Sequence, residues 1–166
     1  MRGWSLGAVG RAAEGLPVLL EGIDSYYATD AKLVVPFYLM TLAEVYGMAG
    51  RAEEGLKRLD EAANVTEMTH ERWAEAEMHR LRGKLFVSIH EHAAAENAYR
   101  HALTVARRQS AKFWELRAAL DLARLWREQG KSIQARNLLL PICSWFTEGF
   151  DVTVLNEAQM LLRSLQ

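Results

Sequence analysis

The sequence predicts an all-α fold: a stack of antiparallel helix pairs repeating every 40 residues and closed by a C-terminal helix. Three observations predict it. A small-residue segment recurs in fixed register as Gly10 to Gly15, Gly50 to Gly55, His90 to Ala95 and Gly130 to Ala135, and a fixed period of roughly 20 to 50 residues marks a stacked repeat. Columns of small and of large residues keep that register on both sides of the turn. Half of the 166 residues are apolar, a quarter are charged and only three are proline, a balance that suits one globular domain rich in helix formers.

Each element follows from the register. A partial repeat covers 1–28, with a short helix before Gly10 and a second near 12–28. Repeats then span 33–68, 71–109 and 112–147, each a helix, a turn at Gly50, His90 or Gly130, and a returning helix. Pro36 suits a first helical turn, where its missing N–H is not needed. Pro141 lies inside the last long helix, where it is expected to kink or divide it, and Gly149 reads as a helix stop. The cap helix, 153–165, sets Val154, Leu155, Ala158, Leu161, Leu162 and Leu165 on one stripe, with Asn156, Glu157, Gln159 and Arg163 turned away, which gives one apolar face and one wet face.

Small residues stand seven before the turn (Gly3, Ala43, Gly83, Ala123), five after it (Gly15, Gly55, Ala95, Ala135) and twelve after it (Gly22, Ala62, Ala102, with Ile142 the exception). Such residues let two helix backbones approach closely. A glycine inside a helix costs about 0.5–1 kcal/mol against alanine, so Gly15, Gly55 and Gly83 imply a packing reason. Bulky residues fill the complementary columns: Leu6, Tyr46, Phe86 and Trp126, then Leu19, Leu59, Tyr99 and Leu139.

This alternation resembles the tetratricopeptide repeat over essentially the whole chain. Leu42, Ala43 and Tyr46 are similar to that family's first-helix positions, and Gly55, Leu59 and Ala62 to those of its second helix. The chain departs from the usual period of 34: here it is 40, and the positions where the family has a closing proline hold Tyr27, Glu67, Arg107 and Thr147. The resemblance implies a right-handed superhelical stack whose first helices line a concave face. The segments Ala49 to Leu56, Glu71 to Gly83 and Trp145 to Asp151 further resemble the C-terminal helical arrays of bacterial signalling regulators, in which a cyclase or DNA-binding domain precedes a P-loop ATPase. No P-loop, cyclase or DNA-binding motif is present here, so those activities are not carried over.

A net charge of -1 offers no global field for nucleic acid or acidic lipid. The single cysteine, Cys143, permits no internal disulfide, and Arg11 and Glu14 interrupt the apolar N-terminal stretch; a cytoplasmic protein without a membrane segment is expected. The whole chain, 1–166, is expected to form a single repeat domain. Because only nine residues precede Gly10, its N-terminal end is expected either to continue a longer chain or to be covered by another subunit through self-association.

The candidate site is the concave face, with Phe37, Met40, Glu44 and Met48 on the first helix, Glu77, Arg80, Lys84 and Ser88 on the next, and Arg117, Leu120, Arg124, Arg127 and Glu128 on the third. These residues are expected to be exposed and to bind a protein or peptide, with Arg124 and Arg127 gripping acidic groups through paired hydrogen bonds. A plainer reading is that the arginines pair with neighbouring carboxylates, each exposed pair contributing only about 0–1 kcal/mol. His90, His92 and His101 invite a zinc reading but lack supporting ligands. The five tryptophans fit packing better than base stacking, and neither Glu53 with Glu54 nor Glu75 with Glu77 has the surroundings of a catalytic pair. A noncatalytic scaffold that needs no cofactor or metal is therefore expected, with an inducer-sensing domain as the alternative.

Overall fold

The structure, a computed structural model, describes residues 2–29, 33–149 and 152–165. These residues form nine helices and no strand: α1 (Arg2–Ala8), α2 (Ala12–Tyr27), α3 (Val35–Met48), α4 (Ala52–Thr69), α5 (Glu75–Ser88), α6 (His92–Arg108), α7 (Lys112–Glu128), α8 (Ser132–Trp145) and α9 (Thr153–Ser164). The boundaries follow the 40-residue register to within a few residues. The largest difference is at α5, which starts at Glu75 rather than 71, because His70 turns into left-handed conformation at φ 56° and the chain loops before re-entering a helix.

The recurrent turn has one geometry. Gly10, Gly50, His90 and Gly130 take φ of 83°, 72°, 63° and 75°, the left-handed region that closes a helix. At Gly50 two bonds satisfy the last carbonyls of α3: Gly50 N–H donates to Gly47 O at 3.0 Å and Arg51 N–H to Tyr46 O at 2.9 Å. The same pair of bonds recurs at Gly10, His90 and Gly130. Each first helix is thereby stopped in the same way, which keeps successive pairs equivalent.

Small columns sit where helices touch. Gly3, Gly15, Gly55 and Gly83 are buried, and Ala43, Ala95, Ala123 and Ala135 are fully enclosed. A Cβ on Gly3 would fall 2.5 Å from the Gly15 carbonyl oxygen, and one on Gly83 would enter the Tyr99 ring. Gly22 departs from its column: it is exposed, with nothing within 4 Å of a Cβ, whereas Ala62 and Ala102 are enclosed. The helix α1 is seven residues long, too short to reach the level of Gly22.

The expectations that α8 divides at Pro141 and stops at Gly149 are corrected. Pro141 neither divides nor ends α8, which continues to Trp145; it removes one backbone bond close to the helix end, and Leu139, Ile142 and Cys143, buried on either side, hold the helix in place. Gly149 is not the stop of α8 either. It lies four residues beyond, at φ 74°, and its carbonyl accepts the Val152 N–H at 3.0 Å on the way into α9.

The first helices α1, α3, α5 and α7 each touch the next, and α9 packs on both α7 and α8, while the backbones of α2, α4, α6 and α8 do not approach one another closely among the described residues. A row in contact beside a row spread apart bends the stack, with the first helices on its inner side. In α9, Leu155, Ala158 and Leu161 face the stack and Asn156 and Arg163 face water, so this helix closes the C-terminal end as its pattern predicts.

Candidate groove on the inner face

The inner face carries three cavities that share walls. The first, about 210 Å³, reaches across four helices, from Trp4 of α1 through Phe37 and Glu44 of α3 and Leu81 of α5 to Trp114 and Arg117 of α7. The second, about 220 Å³, shares Glu44 and Leu81 and adds Met48, Lys84 and Leu85. The third, about 210 Å³, shares Lys84 and adds Asp121, Arg124 and Glu128. Shared walls make one groove along α3, α5 and α7, with apolar floors and charged rims.

The register explains the rims. Trp4, Glu44, Lys84 and Arg124 are one column at 40-residue spacing, and Glu44 meets both Trp4 and Lys84 across helix contacts. Trp4 Nε1 donates to Glu44 Oε2 at 2.7 Å, and Lys84 Nζ lies 3.4 Å from Glu44 Oε1. A second ladder runs deeper: Arg117 is 3.1 Å from Glu77, Arg80 binds both Glu77 oxygens at 2.8 and 2.7 Å and reaches Asp121 at 2.5 Å, and Arg124 joins Asp121 at 3.3 Å to Glu157 of α9 at 2.8 Å. Charges alternate along it, so the ladder is neutral.

The two arginines beside Glu77 differ. Burial works against the charge of Arg80, whose side chain is 5% exposed, but Glu77 and Asp121 outweigh it and raise its pKa. Burial lowers the pKa of Arg117, because Glu77 offsets only part of the lost hydration. The side chain of Arg117 also lies over the Trp114 ring at 5.3 Å.

The expectation of exposure is therefore corrected at four positions. Met40, Glu77, Arg80 and Leu120 are buried, since adjacent first helices cover them. Phe37, Glu44, Arg117 and Arg124 are half-buried and line the groove, while Met48, Lys84, Ser88, Arg127 and Glu128 are exposed. The paired hydrogen bonds expected of Arg124 are directed at Asp121 and Glu157 of the chain itself. Arg127 makes no ion pair with any described residue. Trp4, Leu81 and Asp121 line the groove, and Glu157 joins it through Arg124, although the residue pattern alone did not single them out; for Trp4 the signal was its place in the column of Glu44, Lys84 and Arg124.

Other candidates fall into place around the groove. Among the described residues no group of three or more His, Cys, Asp or Glu side chains could hold a metal ion, and His101 is stacked on His79 at 4.0 Å. Glu75 pairs with Arg72 and Arg108. Cys143 is buried, which pushes its thiol pKa up to about 11, far from an activated nucleophile. Trp126 is in the core, whereas Trp73 and Trp145 are exposed. No described helix is long and apolar enough to cross a membrane.

No protein-family model matches the chain, and no curated protein matches it. Among solved structures it is similar to a Podosopora anserina putative kinesin light chain with nearly identical TPR-like repeats: TM-score 0.72, 14% identity, covering 98% of this chain and 81% of that one. A variant of the same protein gives a TM-score of 0.74 at 14% identity, with the same coverage. The helix pairs, their left-handed glycine turns and this likeness agree, and the chain has a tetratricopeptide-like helical-repeat fold.

Proposed function

We propose that the chain is a noncatalytic interaction scaffold that holds a segment of a partner protein in the groove of its inner face, as a regulatory part of a bacterial, cytoplasmic signalling system. The observation that carries this reading is the continuity of the three cavities through Glu44, Leu81 and Lys84. Each holds about one side chain, as a bound segment that anchors successive residues requires. Since the deep charges pair with one another, apolar anchoring carries the affinity, and Lys84 at the rim and the exposed Arg127 of α7 are the cations available to acidic groups of the partner. The signalling context rests on the sequence resemblance described above.

The test is comparative capture from the native cell extract by the unaltered chain and by a Met48→Glu, Arg127→Glu variant. Both positions are exposed, so the fold should tolerate the changes. Selective loss of one defined protein from the variant supports the reading. An identical captured set from both forms removes the groove as the docking surface.

A further inference from the structure

The cavity between Trp4 and Arg117 combines features that an extended apolar segment does not need. Its walls are aromatic, with Trp4, Phe37 and Trp114 around a floor that includes Met40 and Leu81. Glu44, Glu77 and Arg117 line the same space, and of these Glu44 and Arg117 have spare bonding capacity. Glu44, its side chain 20% exposed, receives a bond from Trp4 on one oxygen and only the 3.4 Å approach of Lys84 on the other. Arg117, 28% exposed, has a single 3.1 Å ion pair and makes no hydrogen bond to a described residue. Its partner Glu77 is already held by two short bonds from Arg80, so Arg117 can turn to another anion without leaving a buried carboxylate bare.

The two groups carry opposite charge and lie close enough for Glu44 to steady the charge of Arg117. A guanidinium binds carboxylate through a matching pair of N–H donors. A carboxylate in a cavity walled by tryptophan and phenylalanine suits an ammonium group, which the ring quadrupoles also attract.

We propose that this cavity is a small-molecule site for a free α-amino acid with a large apolar or aromatic side chain, its carboxylate on Arg117, its ammonium on Glu44 and its side chain among Trp4, Phe37 and Trp114. This goes beyond the scaffold reading: the site needs only the first of the three cavities, and its occupancy is measured without any partner protein.

The experiment is a titration followed by tryptophan fluorescence and by melting temperature, with L-phenylalanine, L-tryptophan and L-leucine as probes. Beside them run two blocked forms, N-acetyl-L-phenylalanine, which lacks the ammonium, and L-phenylalaninamide, which lacks the carboxylate. Saturable binding of the free amino acid, weakened about tenfold or more in each blocked form, is the expected result. In Glu44→Gln the acetylated and free forms should bind alike, and in Arg117→Gln the amide and free acid should bind alike. Since both blocked forms are tested on the unaltered chain, a variant that fails to fold leaves the test intact. Equal binding of free and blocked forms would reduce the site to a pocket for an apolar side chain and overturn the proposal. Absence of saturable binding at millimolar concentration overturns it too.

Discussion

His79 occupies a position where the neighbouring repeats place Leu39 and Ala119, both buried. It is half-buried on α5 and stacks on the exposed His101 of α6, with Arg82 nearby on its own helix. Burial first, then His101 and Arg82, push its pKa from 6.5 down to about 4. The sign follows directly: between these values the unfolded chain takes up a proton more readily than the folded one, so stability falls as pH drops through this window. His79→Leu should flatten the loss between about pH 6.5 and 4 by about 1–2 kcal/mol once solvent screening is allowed for, read from urea unfolding at both ends of the window. This side chain also shows what a single sequence conveys at the residue scale. The column of His79 was visible, but its stacking on His101 depends on how two helices rotate against each other. The ladder through Asp121 was hidden for the same reason, since no spacing tells which of two neighbouring carboxylates a buried arginine will meet.

At the scale of the helix pair, glycine has opposite meanings at two positions of the repeat pattern. Alanine at Gly83 would drive its methyl group into the Tyr99 ring, and crowding of that kind costs about 1–3 kcal/mol against a gain in helix propensity of about 0.5–1 kcal/mol. Gly83→Ala should therefore destabilise by about 1–2 kcal/mol. Gly22→Ala, where nothing lies within 4 Å, should stabilise by about 0.5–1 kcal/mol, and chemical denaturation of the two variants separates the cases. Helix positions were legible because turn and small-residue columns report local backbone needs. Pro141 was not, because whether a helix survives a proline depends on the burial of Leu139 and Ile142 around it. Gly22 fits its column by residue type, yet its exposure follows from the length of α1, a property of the neighbouring helix.

At the scale of the whole molecule, the ladder from Arg117 to Glu157 joins α5, α7 and α9 across the inner face. Its keystone is Arg80, and Arg80→Met should destabilise by about 3 kcal/mol, because the buried Glu77 and the half-buried Asp121 would lose their shared cation. Equilibrium unfolding in urea gives the value, and a change below about 1 kcal/mol would mean that Arg117 and Arg124 suffice. The stack itself could be read from the sequence; the neutrality of its inner face could not, since it arises from pairs that form only once the repeats are side by side. The separation of α2, α4, α6 and α8 has a mechanical corollary. Each packs instead on the helix that follows it, so flexing the array works on those seams as well as on the inner ones, where ion pairs also bridge one repeat to the next. Opening or closing the curve should therefore strain the whole junction between one pair and the next rather than a single edge.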